Sequence, residues 1–153
     1  SAAGLGLSIA MNTDYIIANE KTRFGMLFAG IGLIPDGGGH FFLKERIGVH
    51  QAKQFIWSLQ QVSGKEAEKL GFIDVQAGED VLSDAQRFAK QLLQSPLQAL
   101  IATKRIYHES RIAELRAYLM REKAAQLQIR KTEDHQEGVA AFLAKRKPQF
   151  KGR

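Results

Sequence analysis

Two glycine-bearing stretches hold the residues best placed to do chemistry in this 153-residue chain. The first, Ser1-Ala2-Ala3-Gly4-Leu5-Gly6-Leu7-Ser8-Ile9-Ala10, passes from small residues into an apolar run, as a loop does when it becomes a helix. Backbone N–H groups in a first helical turn have no intrahelical partner and sit at the positive end of the macrodipole, so they can hold negative charge developing on an oxygen. Gly4 and Gly6 would let a ligand approach that main chain closely. They serve equally well, on composition alone, as a tight lead-in to a buried helix. The second stretch comprises Phe24-Gly25-Met26 and Gly30-Ile31-Gly32-Leu33-Ile34-Pro35-Asp36-Gly37-Gly38-Gly39. It carries one carboxylate, Asp36, whose plainest local role is to cap the helix that follows. The other role open to it is proton transfer as a general base.

Other chemistry finds little support. Gly4-x-Gly6 has Ile9 where a dinucleotide fingerprint needs its third glycine, and no Gly-Lys-Ser/Thr phosphate loop is present. His40, His50, His108 and His135 show no metal-ligand spacing, so no metal is expected. His40 follows the glycine run and could line a pocket, although packing or surface exposure is its ordinary fate. Trp57, beside Phe55 and Ile56, reads as a core or interface residue.

The elements that must position these groups follow from spacing. Leu7, Ile9, Ala10 and Met11 carry the opening helix to Asn12-Thr13-Asp14, whose side chains compete for backbone hydrogen bonds and stop it. Tyr15-Ile16-Ile17-Ala18 and Thr22-Arg23-Phe24 read as short strands about a turn at Asn19-Glu20-Lys21. Met26 to Leu33 has no clear period. Pro35 biases Ile34 toward extended geometry, and Asp36 is the expected N-cap of a helix through Phe41, Phe42, Leu43 and Ile47 that Gly48 ends. Ala52, Phe55, Ile56 and Leu59 mark an amphipathic helix. Ser63 with Glu66 predicts a capping box, Gly71 a helix end, and Phe72-Ile73-Asp74-Val75 an edge strand. Beyond Gln76 the pattern is helical: Ser83 with Gln86 as the expected cap, a break at Ser95-Pro96, apolar faces at Leu97, Leu100, Ile101 and at Ile112, Leu115, Leu119, and a last one at Val139, Phe142, Leu143. An α/β part over residues 1–76 and a helical part over 77–153 are therefore expected.

Composition narrows the classes. A chain with 44% hydrophobic and 25% charged residues can bury a core, and the absence of cysteine excludes a disulfide framework, a thiolate zinc site and a cysteine nucleophile. No apolar run approaches the roughly 20 residues that span a bilayer, so a cytoplasmic chain without a membrane partner is expected. The net charge of +6 raises nucleic acid, but the basic residues are scattered except at Lys145, Arg146, Lys147, Lys151 and Arg153. That end is either a solvated helix terminus or a face for a polyanionic small molecule such as coenzyme A, and no nucleic-acid partner is expected.

The two glycine stretches, with Gly48 beyond them and the ending Glu137-Gly138-Val139-Ala140-Ala141-Phe142-Leu143-Ala144-Lys145-Arg146, resemble the crotonase superfamily of enoyl-CoA hydratases and isomerases. The nearest likeness is to phenylacetate-pathway isomerases acting on epoxyphenylacetyl-CoA and 3-enoyl-CoAs, which share Leu33-Ile34-Pro35-Asp36 and that ending. The resemblance covers the whole chain. It implies an α/β fold, the C-terminal portion of a ββα spiral over 1–76 followed by a helical region over 77–153 used for trimerisation and coenzyme A contacts. Because members carry a substantial core segment ahead of the position of Ser1, it also implies that these residues alone would be inactive.

The resemblance implies an acyl-CoA thioester as substrate, with coenzyme A as part of it and no further cofactor, and a homotrimer or dimer of trimers. The Leu5 N–H matches one of two oxyanion-hole donors, with leucine replacing the commoner glycine or alanine and narrowing the approach. Hydratase glutamates match Ser8 and Phe28, neither of which can activate and deliver water. Asp36 matches the aspartate with which the isomerases move a proton between carbons. Gly4, Gly6 and Phe28 are implied to bind substrate, as is Lys145, near the ADP moiety. The implied reaction is migration of a double bond, or rearrangement of an epoxide, through a thioester enolate. A hydratase or lyase of the same fold, or a non-catalytic binding and assembly subunit, are the alternatives.

Overall fold

In the computed structural model, which describes residues 1–153, Ala2–Ala3 (β1) lies parallel to Arg23–Gly25 (β3), with Ala2 opposite Phe24 and Ala3 opposite Gly25. Gln61–Ser63 (β4) closes this sheet antiparallel to β3, and Ile17–Ala18 (β2) pairs separately and in parallel with Val75–Gln76 (β5). The strands are shorter than the apolar runs suggest. Tyr15 and Ile16 precede β2, and Phe72-Ile73-Asp74 leads into β5, because Ile16 spends its carbonyl on Asp74 and Val75 N–H and its own N–H on the Asp74 carboxylate at 2.7 Å.

Helix α1 spans Leu5–Met11, and a 3-10 turn at Leu27–Ile31 occupies the stretch without clear period. Helix α2 spans Gly39–Ser58 with a non-helical Gly48 (φ 76°), so the glycine breaks the helix as expected but the second half continues directly from it. Helix α3, Gly64–Leu70, has the expected capping box: Ser63 N–H donates to Glu66 Oε2 at 2.7 Å and Glu66 N–H to Ser63 Oγ at 3.3 Å, while Gly71 ends it in the left-handed region. Helix α4, Val81–Leu93, is capped by Asp80, not by the Ser83–Gln86 pair. Asp80 Oδ1 accepts from Ser83 N–H at 3.1 Å, placing the start three residues earlier than expected. After the break at Pro96, the two apolar faces belong to a single helix α5, Leu97–Ile129, and α6 spans Glu133–Leu143. None of these helices is long and apolar enough to cross a membrane.

Leu7, Met11, Phe24, Met26, Phe41, Leu43, Phe55 and Phe72 form the centre of the core, with Phe72 edge-on to both Phe24 and Phe55. Helix α5 joins it through Leu115 and Tyr118, the latter edge-on to Phe41 at 5.6 Å. Trp57 is exposed, with the Lys53 ammonium 5.7 Å from its ring, so it is not a core residue of this chain. In α6 the buried positions are Gly138 and Ala141, while Phe142 and Leu143 face outward. The reason is close approach: a Cβ on Gly138 would lie 2.6–2.8 Å from the backbone of Ile31, so α6 rests its glycine side on the 3-10 turn.

The basic end folds back onto α6. Arg146 forms a two-point pair with Glu137 at 2.5 and 2.8 Å, Arg153 Nε reaches Glu133 at 3.1 Å, and the Lys151 and Gly152 N–H groups donate to Asp134. Its two arginines are therefore neutralised within the chain. The Arg146 guanidinium, aided by the Gln149 N–H, holds the Glu137 carboxyl down at about 2 from its usual 4.5. A carboxyl lowered on folding stabilises the fold above its unfolded value and loses that contribution as pH falls through the folded one. The tail should accordingly stay latched at neutral pH and release between about pH 4.5 and 2, seen as faster amide exchange at Gln149 while the core amides of α1 stay protected.

Candidate active site

The two glycine stretches meet at the start of α1. Gly4 adopts φ 54°, ψ −128°, donates its N–H to the Gly25 carbonyl at 2.9 Å, and accepts from Leu7 and Ser8 N–H at 3.0 and 3.2 Å. Leu5 is thus the first helical residue, and its N–H and that of Gly6 lie ahead of the helical ladder. Phe28 on the 3-10 turn stands over Gly4, its ring 3.8 Å from where a Cβ would sit, and no atom lies within 4 Å of that place at Gly6. The main chain from Gly4 to Gly6 is open on the Gly6 side and walled by an aromatic ring on the other.

Gly37 explains how Asp36 reaches this point. Its φ is 64°, and a Cβ there would come within 2.5 Å of Leu5 Cδ1, so the chain passes directly against Leu5. Together with Gly38 at φ 81°, it turns the backbone so that Gly38, not Asp36, is the N-cap of α2. This corrects the expected cap. Asp36 sits ahead of the helix, its carbonyl accepting from Gly39 N–H at 3.1 Å, while the side chain turns toward α5. There Asp36 Oδ2 accepts from Gln126 Nε2 at 3.2 Å, and Oδ1 is buried with no hydrogen-bond partner.

The carboxylate that serves the N-terminus of α2 comes from far along the chain. Glu122, 5% exposed, accepts from Gly38 N–H through Oε2 at 2.8 Å and from His40 N–H through Oε1 at 3.1 Å, and His40 Nδ1 lies 2.9 Å from the same Oε1. Leu5, Asp36 and Gly37 form one wall of a cleft of about 400 Å³, and one face of α5, including Lys123 and Arg130, forms the other. Ser8 is fully buried beneath it, its Oγ unbonded and 2.7 Å from where a Cβ on Gly39 would be.

Of the expected site residues, the structure brings Leu5, Gly4, Gly6, Phe28 and Asp36 together. It does not bring Lys145 to them. That residue, exposed and at φ 52°, follows α6 and lines no part of the cleft. Glu122, Lys123, Gln126 and Arg130 were not anticipated, although with Leu119 and Leu127 they repeat at helical spacing and so share one face of α5. A second, more polar hollow of about 560 Å³ beyond the end of α1 is crossed by the Arg46–Asp74 and Lys104–Asp14 pairs, which match its charges internally. No group of three His, Asp or Glu side chains is arranged to hold a metal ion.

Comparison with known proteins matches all of residues 1–153 to the family described as enoyl-CoA hydratase/isomerase. The chain is 47% identical over 150 residues to YhaR of Bacillus subtilis (strain 168), a protein named for that family rather than for one reaction, covering 98% of this chain and 59% of the relative. It is 35% identical over 153 residues to the 1,2-epoxyphenylacetyl-CoA isomerase of Escherichia coli (strain K12), covering 99% and 58%. A solved enoyl-CoA hydratase from Mycobacterium avium subsp. paratuberculosis K-10 superimposes with a TM-score of 0.90 at 30% identity, over 98% of this chain and 61% of that one. The chain thus spans about three-fifths of the length of these relatives.

Proposed function

The chain belongs to the enoyl-CoA hydratase/isomerase family, and from that membership we propose that it forms the catalytic part of an isomerase that shifts a double bond in an acyl-CoA thioester. In this reading the thioester oxygen lies against the Leu5 N–H, and Asp36 takes a proton from the carbon next to the carbonyl. The C–H electron pair moves into the thioester as an enolate, and the same carboxyl returns the proton two carbons further along. Atoms balance without water or a second base. Gly4, Gly6 and Phe28 border the path of the thioester. The basic groups Lys123 and Arg130 on the opposite wall, and Lys145 further off, are available to an anionic coenzyme. Assembly as a trimer or dimer of trimers belongs to the same proposal.

One observation carries it. The cleft is bordered by two carboxylates, and only Asp36 has an oxygen without a partner, because both Glu122 oxygens are engaged by Gly38 and His40. Hydration by paired carboxylates needs two groups free to act on water, and Ser8 and Phe28 stand where the resemblance implies the hydratase glutamates. The test is to supply a 2-enoyl-CoA to the intact protein and follow its conjugated absorbance. Slow equilibration with the 3-enoyl isomer supports the reading, and accumulation of 3-hydroxyacyl-CoA as the main product rejects it.

A further inference from the structure

Helix α5 holds the segment that carries Asp36 through two side chains one turn apart, Glu122 and Gln126, which share a helix face. Glu122 fixes the downstream end by accepting from Gly38 and His40 N–H. Gln126 fixes the upstream end: Ile34 N–H donates to Gln126 Oε1 at 3.3 Å, and Gln126 Nε2 donates to the Ile34 carbonyl at 3.1 Å and to Asp36 Oδ2 at 3.2 Å. These three bonds fit a single orientation of the amide. With its oxygen turned to the Ile34 N–H, its two N–H donors have to face the Ile34 carbonyl and Asp36.

From this we infer that Gln126 is a positioning residue for Asp36, selecting Oδ1 as the oxygen that carries the proton by occupying Oδ2, with Glu122 bracing the same loop. The inference rests on the reading of Asp36 as the base. Without the Gln126 donor the two carboxylate oxygens are equivalent apart from packing, and the carboxyl can turn about its last torsion, which is broad for aspartate. Productive proton transfer demands a defined near-attack geometry, and small misplacements are costly. The isomerase therefore depends on a residue that touches the base and lies 90 positions away from it in sequence.

Gln126→Met and Gln126→Glu, compared with the wild type and Asp36→Asn in the intact protein, test this. Gln126→Met keeps the volume and removes all three bonds, and should lower kcat by roughly tenfold to a hundredfold while KM changes by less than about threefold. Gln126→Glu keeps the acceptor for Ile34 N–H but turns a carboxylate toward Asp36, so at neutral pH it should be at least as slow as Gln126→Met. A role confined to holding Ile34 predicts the reverse order, with glutamate rescuing turnover. That rescue, or a Gln126→Met kcat within about twofold of wild type, overturns the inference while leaving the base reading intact. Wild-type turnover in Asp36→Asn overturns both. Should Gln126→Met fail to fold, the rate of Gln126→Glu decides alone: slow supports the inference, near wild type overturns it.

Discussion

Asp36→Asn is expected to slow isomerisation by about 10²- to 10⁴-fold, the usual contribution of a positioned general base, with acyl-CoA binding and fold retained. The substitution would be ambiguous if Asp36 capped α2, since losing a cap charge could disturb the helix. It does not cap it: Gly38 is the N-cap, and the orphan N–H groups there are served by Glu122. The one side-chain bond of Asp36 is the acceptance from Gln126 Nε2, which an asparagine carbonyl can also make. What asparagine cannot do is take a proton. Turnover and titration of a CoA thioester on the same preparation check this. An unchanged melting temperature with retained binding and lost turnover is the expected pattern, and retained turnover would remove Asp36 from the mechanism.

Leu5→Pro is expected to cost about 10²- to 10³-fold in kcat, the size of effect seen when one oxyanion donor is removed. Proline at the first helical position is ordinarily tolerated, because the N–H it lacks has no intrahelical partner. Leu5 is that position, since Gly4 is the N-cap. Leu5→Ala shortens the same side chain and keeps the N–H, so the pair separates the amide from the leucine contact with Gly37. Proline should lose far more than alanine. Equal losses would assign the effect to the side chain and leave the thioester oxygen to another donor.

Much of this arrangement was legible because it is written in neighbouring residues. The Ser63–Glu66 box, the Gly71 stop, the break at Pro96 and the passage from loop to helix at Gly4 each depend on a few consecutive side chains and backbone angles. Membership of the enoyl-CoA hydratase/isomerase family, recognised from the glycine stretches and the ending, is shown by the match over residues 1–153. The cap of α2 was misread because two glycines in a row took positive φ, which moved the helix start past Asp36. Its replacement, Glu122, lies 84 residues from Gly38, and no local spacing connects the two. The apolar face that spacing marks on α6, at Val139, Phe142 and Leu143, points outward, and the contact of this helix with the rest of the chain was missed for a related reason. Apolar Phe142 and Leu143 gave way to Gly138, whose lack of a side chain lets the helix reach the Ile31 backbone. Sequence patterns register side chains that want burial and miss places where the absence of one permits contact.

The central claim, that one carboxyl moves a proton from one carbon of the acyl chain to another, is tested most directly by following the proton itself. A 3-enoyl-CoA carrying deuterium at C2 would be converted by the intact protein in ordinary water and the 2-enoyl-CoA product examined for label at C4. Because Asp36 Oδ1 is buried, a substantial fraction of the label should appear at C4, and Asp36→Asn should abolish the transfer. Conversion in which no label reaches C4, accompanied by 3-hydroxyacyl-CoA as the principal product, would contradict a single shuttling carboxyl and assign the cleft to hydration.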